Sequence, residues 1–136
     1  MTCPNLSPEA RRVLIADDTA SSRDLLRSIL EAGDYVVAEA KDGKQVLEII
    51  ESFNPHLVIL DLQMPRLDGY ATAAILKKTL ALRKVPIIAL TAAATQTAPD
   101  RISEAGFSDY LVKPIRPSSL RECVAHYLET PYAERL

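Results

Sequence analysis

The sequence predicts an α/β fold, a (βα)5 doubly wound arrangement in which a parallel five-stranded sheet is covered by helices on both faces. Three observations carry this reading. Short apolar runs alternate along the chain with longer segments whose apolar residues recur at helical spacing. One run, Leu57-Val58-Ile59-Leu60, is continuous large aliphatic sequence, the pattern of a strand buried on both faces as parallel sheets require. The runs end in Asp17-Asp18, Asp61 and Thr91, and the carboxyl edge is where open α/β sheets place their chemistry.

The elements follow in order. The first strand occupies 13–16. Leu25, Leu26, Ile29 and Leu30 then form a helical stripe, with Thr19, Ser21 and Ser22 as N-cap candidates and Gly33-Asp34 as the stop. Residues 35–40 return to strand character, Asp42-Gly43 turns the chain, and Val46, Leu47 and Ile50 mark a second helix. Pro55 closes that connection before the strand at 57–60. Asp68-Gly69 reads as a turn and helix start, and Ala71, Ile75, Leu76 and Leu80 give the third helix. The fourth strand spans 85–90, with Pro86 tolerated near its start. Thr97 offers a capping oxygen to a fourth helix that Asp100 supports and Ala105-Gly106 ends. A short strand at 110–112 precedes the last helix, which has Pro117 in its first turn and Leu120, Val124, Tyr127 and Leu128 on its apolar face.

With 136 residues the chain reads as one domain, 11–129, between an N-terminal tail, 1–10, and a C-terminal tail, 130–136. A net charge of −2 gives no electrostatic footprint for direct nucleic-acid binding. No stretch reaches the roughly 18 apolar residues of a membrane span, and no basic-then-apolar signal opens the chain, so a cytoplasmic location without membrane contact is expected. Lys77, Lys78, Arg83 and Lys84 read as a solvated helix end. Cys3 and Cys123 have no metal-ligand spacing and are expected as free thiols, Cys123 in the core; His56 and His126 are expected in structural or surface roles.

In a parallel sheet every carboxyl end lies on one edge, so Asp17, Asp18, Asp61, Thr91 and Lys113 converge there. Each has an ordinary reading alone: helix cap, turn former, β-branched strand end, surface charge. Together they have a chemical one. Neighbouring carboxylates raise one another's pKa unless a cation neutralises them. An all-oxygen cluster suits a hard cation, of which Mg²⁺ is the usual choice. With an ammonium and a hydroxyl beside it, the set can stabilise a transferring phosphoryl group, and a carboxylate can itself be the nucleophile.

The segments Val13-Leu14-Ile15-Ala16-Asp17-Asp18, Leu60-Asp61-Leu62-Gln63-Met64-Pro65 with Asp68-Gly69, Ile88-Ala89-Leu90-Thr91-Ala92 and Asp109-Tyr110-Leu111-Val112-Lys113-Pro114 resemble those of a response-regulator receiver domain of the CheY-like family. The resemblance covers roughly 12–128 and implies the flavodoxin-like strand order 2-1-3-4-5. It implies that Asp61 accepts a phosphoryl group from a phosphohistidine on a histidine kinase or histidine phosphotransfer protein. Mg²⁺ would be held by Asp18, Asp61 and the backbone carbonyl of Gln63, with Asp17 acting directly or through water. Thr91 and Lys113 would engage the phosphoryl oxygens, Tyr110 would be the aromatic switch that follows Thr91, Ala92 would leave room for the phosphoryl group, and Lys113-Pro114 would be cis.

The resemblance further implies that phosphorylation remodels the face made by the fourth helix, fifth strand and fifth helix, with 95–113 as the responsive segment, for a downstream protein partner or a homodimer. Gln63 and Ala93 occupy the positions that tune phosphoryl lifetime. The expected function is that of a stand-alone response regulator or phosphorelay intermediate, the alternative being the receiver of a hybrid histidine kinase or larger regulator. Two rivals share the sheet. A haloacid-dehalogenase-type phosphatase wants a second acid where Gln63 stands, and a nucleotide or flavin binder wants glycine-rich loops that a chain with four glycines lacks.

Overall fold

The computed structural model describes residues 11–79, 84–92 and 98–128. Strands β1 (Arg12–Ala16), β2 (Val36–Ala40), β3 (Leu57–Asp61), β4 (Ile87–Thr91) and β5 (Asp109–Val112) alternate with helices α1 (Ala20–Ala32), α2 (Gly43–Phe53), α3 (Gly69–Lys78), α4 (Ala98–Glu104) and α5 (Pro117–Leu128). All neighbouring strands pair in parallel, in the order β2-β1-β3-β4-β5. β3 and β4 are buried at every residue, whereas the edge strands β2 and β5 are not.

Alternation along the strands divides the core in two. Leu14, Ala16, Val58, Leu60, Ile87 and Ala89 face one way and meet Val46 and Ile50 of α2, Ala73 and Leu76 of α3 and Ile102 of α4. Val13, Ile15, Leu57, Ile59, Ile88 and Leu90 face the other and meet Leu26, Ile29 and Leu30 of α1 and Leu120, Val124 and Leu128 of α5. Each valine, leucine or isoleucine among them contributes about 1.5–3 kcal/mol on burial, so the core rests on the central strands that also carry the acidic groups.

Several expected details shift. Asp42-Gly43 is the cap and first residue of α2 rather than a free turn, the Asp42 Oδ1 accepting from the Gln45 N–H at 2.8 Å. Leu25 does not join the buried stripe of α1; it is 45% exposed, because the sheet takes only the side carrying Leu26, Ile29 and Leu30. In α3 the buried face is Gly69, Thr72, Ala73 and Leu76, while Ile75 is 39% exposed and Leu80 lies outside the described residues. The helix turns this way because small residues bring α2 and α3 together. A Cβ on Gly43 would sit 2.1 Å from the Thr72 Oγ1, and that hydroxyl instead satisfies itself on the Asp68 carbonyl at 2.7 Å. A periodicity reading that counts only apolar residues passes over a buried threonine.

β4 begins after Pro86, whose carbonyl accepts from the Val58 N–H at 3.0 Å, and Asp109 already belongs to β5. Tyr127 is half-buried, its hydroxyl donating to the Ser108 carbonyl at 2.9 Å. Cys123 is half-buried at the margin of the α1–α5 core rather than within it, with its Sγ 3.8 Å from Asp109; burial first, then that carboxylate, push the thiol up to about 12. Lys77 is not a simple solvated cation. Its stem lies against Gly106, its Nζ is 3.4 Å from the Val85 carbonyl, and burial lowers its pKa. Cys3, Arg83 and the Thr97 cap fall outside the described residues, as do both expected tails. Among the described residues no helix is long and apolar enough to cross a membrane.

Candidate functional site

At the end of β1, Asp17 is completely buried and every polar group it owns has a role. Its N–H donates to the Ala40 carbonyl at 3.1 Å, its Oδ1 accepts from the Thr19 N–H at 2.9 Å, and its Oδ2 meets the Lys113 Nζ at 2.8 Å. Asp18, next in the chain, is exposed. On the neighbouring strand of the sheet, Asp61 ends β3 at 6% exposure. Its Oδ1 accepts from the Gln63 N–H at 2.9 Å, which draws the main chain at Gln63 against it, and its Oδ2 lies 2.8 Å from the same Lys113 Nζ. One ammonium therefore bridges carboxylates from two strands.

Thr91 is buried at the end of β4, next to β3, and its carbonyl accepts from the Lys113 N–H at 2.8 Å. The Leu62 N–H likewise reaches the Leu90 carbonyl at 3.0 Å. Main-chain bonds thus continue past the strand ends and hold the loops that carry Asp61 and Lys113. The expected cis peptide at Lys113-Pro114 is present. Gly69 explains why α3 can start so close to β3: a Cβ there would meet the Asp61 carbonyl oxygen at 2.5 Å and the Leu62 Cα at 2.8 Å. Asp68 caps that helix, accepting from the Ala71 N–H at 2.8 Å.

Asp17, Asp18 and Asp61 each place one carboxylate oxygen so that all three lie within 4.8 Å of one another. Burial, more than the partial relief from Lys113 and the Gln63 N–H, raises the pKa of Asp61, and the Asp17 charge adds to the rise. Burial acts to lower Lys113, but its hydrogen bonds to Asp17 and Asp61 prevail and raise it. The two shifts pull opposite ways on one contact. The geometry decides for the ionised pair at neutral pH, since a single ammonium serves two carboxylates at 2.8 Å. What is left is an excess of negative charge that a further cation would relieve.

The structure brings Asp17, Asp18, Asp61, Thr91 and Lys113 to one edge, with Gln63 beside Asp61. Tyr110 stands apart on the α4 flank, half-buried against the α2–α4 core and lining a cavity with Ile102 and Phe107. A second cavity of about 380 Å³ opens beside Asp17 and Lys113 and is lined by Leu25, Ala92, Pro114 and Ile115, which gives the exposed Leu25 its surroundings. Sequence reasoning missed Arg23, which touches the acidic loop from behind, and Glu39, which pairs with Arg23.

A family model described as the response regulator receiver domain matches residues 13–125. The chain belongs to this family. Its receiver is 42% identical over 124 residues to the transcriptional regulatory protein PdtaR of Mycobacterium tuberculosis, covering 88% of this chain and 59% of that protein. It is 30% identical over 118 residues to the polar-differentiation response regulator DivK of Brucella ovis, covering 87% of this chain and 96% of that one. Among solved structures, it resembles the receiver domain of a sensor histidine kinase from Pseudomonas aeruginosa PAO1, which has a magnesium ion coordinated in its active site cleft; the TM-score is 0.81 at 28% identity, covering 89% of this chain and 99% of that one. The receiver spans about half the length of the curated relatives it matches at 42% identity, 45% of one and 59% of another.

Proposed function

We propose that this receiver accepts a phosphoryl group on Asp61 from a phosphohistidine donor, a histidine kinase or histidine phosphotransfer protein, and thereby switches a protein-binding face. The observation that carries the reading is the Lys113 ammonium held 2.8 Å from both Asp17 and Asp61 in a cluster whose three carboxylates lie within 4.8 Å. An Asp61 carboxylate oxygen attacks phosphorus; the O–P bond forms as the donor's N–P bond breaks, and the imidazole nitrogen leaves with the electron pair and takes up a proton. Lys113 neutralises charge on the transferring oxygens, and the Thr91 hydroxyl, one strand over, donates to them. Attack by water on the aspartyl phosphate later returns the free carboxylate, so the domain promotes both its own phosphorylation and its dephosphorylation.

The acidic cluster fits a hard divalent cation, since all its donors are oxygens and its negative charge exceeds what Lys113 offsets. Asp17, Asp18, Asp61 and the Gln63 backbone carbonyl would hold Mg²⁺, which supplies positive charge against the phosphoryl oxygens. Output runs through α4, β5 and α5, where Tyr110 is the switch residue and Val112 is exposed, towards a downstream protein or a second copy of the chain. The setting is cytoplasmic, with neither nucleic acid nor membrane as a direct partner. The receiver serves as a stand-alone regulator or phosphorelay intermediate, or as one part of a larger regulator or hybrid kinase. Ala93, the other lifetime position, lies outside the described residues.

Intact-protein mass after incubation with acetyl phosphate tests the chemistry. A single phosphoryl adduct that needs Mg²⁺, is released by hydroxylamine and is missing from Asp61→Asn is the expected result. An adduct that persists in Asp61→Asn would move the acceptor elsewhere.

A further inference from the structure

Arg23 sits in the first turn of α1, where unpaired backbone N–H groups already present partial positive charge and a cation is disfavoured. Its surroundings explain its presence. The Arg23 Nη1 donates to the Asp17 carbonyl at 2.6 Å, and its Nε donates to the Glu39 Oε1 on β2 at 3.2 Å. The Glu39 Oε2 takes the Arg27 guanidinium, which also holds Glu31 at 3.1 Å. Arg23 and Glu39 are both largely withdrawn from solvent, at 19% and 22% side-chain exposure, so their pairing is screened less than an open surface contact.

We infer that Arg23, braced by Glu39, is a positioning residue that sets the orientation of the Asp17-Asp18 peptide and through it the two carboxylates of the acidic cluster. The Asp17 residue is fastened to β2 on both sides: its N–H by the Ala40 carbonyl at 3.1 Å, its carbonyl by Arg23 anchored on Glu39. Glu39 in turn is in register with Ile15 of β1. The sheet's edge strand therefore acts as a template for the loop. Arg23 has the required geometry because its planar fork holds two acceptors in fixed relation, whereas a lysine offers rotatable donors from one point on a flexible stem and would not fix that relation. Without it, the peptide after Asp17 is free to rotate, and the separation of the Asp17 and Asp18 oxygens is no longer set.

The inference rests on the acidic cluster being a Mg²⁺ site, and the test separates the two. Mg²⁺ is titrated into wild-type protein, Arg23→Ala, Arg23→Lys and Glu39→Gln, following backbone amide resonances of Asp17, Asp18 and Gln63, with thermal midpoints recorded without metal. Arg23→Ala is expected to raise the Mg²⁺ dissociation constant about 10-fold, the lower end of what orienting partners of metal ligands contribute, and to move the Asp18 amide resonance before any metal is added. Arg23→Lys and Glu39→Gln should fall between, and both remain informative if Arg23→Ala folds poorly. The double variant Arg23→Ala with Glu39→Gln should bind no more weakly than Arg23→Ala alone. A lowered thermal midpoint with unchanged Mg²⁺ affinity and an unmoved Asp18 amide would overturn the inference and leave Arg23 as a helix-to-strand clip. A wild-type protein that takes up no Mg²⁺ would overturn the reading of the cluster, and the inference with it.

Discussion

The two ends of the sheet are built from the same strands but differ in what they bury. At the amino end, the Arg12 N–H donates to the His56 Nδ1 at 2.9 Å, the Arg12 Nε donates to the Asn54 carbonyl at 2.8 Å, and the Val36 N–H meets the Arg11 carbonyl at 2.8 Å. Polar groups there are satisfied near solvent, and no carboxylate is forced into the core. At the carboxyl end, Asp17, Asp61 and Thr91 are buried around one partly exposed ammonium. Burying like charges opposes folding. Among the described residues the other buried polar ones, Asp42 and Thr72, are accounted for as a helix cap and a helix–helix contact. Charge collects at the one edge where stability alone has no use for it, and the contrast marks that edge as the candidate site without reference to any relative.

Three substitutions probe that contrast. The largest effect is expected at Gly69, where an added methyl would overlap the Asp61 carbonyl and the Leu62 Cα, both backbone atoms that have little room to yield. Gly69→Ala should cost about 3 kcal/mol, the upper range of overpacking, and abolish the acetyl-phosphate adduct by displacing β3; urea denaturation and intact mass report the two losses. Next is Lys113→Ala, which leaves Asp17 and Asp61 facing each other. Breaking a buried pair costs about 3–5 kcal/mol, and the exposure of this ammonium reduces that to about 2 kcal/mol at neutral pH.

The pH dependence of that deficit follows from Asp61. Its folded pKa is already raised, chiefly by burial, and loses the counter-ion in the variant. A carboxyl with a raised folded pKa favours folding while protonated and loses that contribution as pH rises. The gap between Lys113→Ala and wild type should therefore be narrow at pH 5 and wide at pH 7.5, with Mg²⁺ closing part of it at the higher pH. A pH-independent gap would show that the ammonium acts by packing alone.

The smallest effect belongs to the quiet end. Burial, with the charges of Arg12 and Arg11, lowers the His56 pKa, and its Nδ1 accepts a hydrogen bond that protonation would remove. The unfolded chain takes the proton more readily, so this contribution is complete above about pH 6.5 and is lost as pH falls below it. Wild type should lose about 1 kcal/mol more than His56→Gln between pH 7.5 and 5.5, the worth of one hydrogen bond. Equal losses in urea midpoint would remove His56 from the account.

The acidic site was legible because its residues end strands, and a parallel sheet turns that sequence position into spatial proximity. Asp61, Asp17, Thr91 and Lys113 are far apart in the chain yet needed only the topology to meet. Apolar periodicity erred where a helix buries something other than large aliphatics: Thr72 and Ala73 take the inner face of α3, and Ile75 faces out. Leu25 fell one position off a stripe whose width depends on how closely α1 rides the sheet. Arg23 was invisible for another reason. One of its partners is a main-chain carbonyl and the other lies across a strand, so neither leaves a motif. The available hint was a cation in a helix's first turn, a place that ordinarily disfavours one.

The main-chain bonds that run on beyond the strands, Leu62 to Leu90 and Lys113 to Thr91, separate the molecule's outline from its reactivity. Neither bond involves a side chain, so exchanging the acid at the end of β3 for an amide leaves the frame around it fastened. Under the proposed function, a receiver silenced in this way would still present an intact surface to whatever protein delivers the phosphoryl group. It would compete for that donor without consuming it, and a cell holding both forms would have its signal set by their ratio.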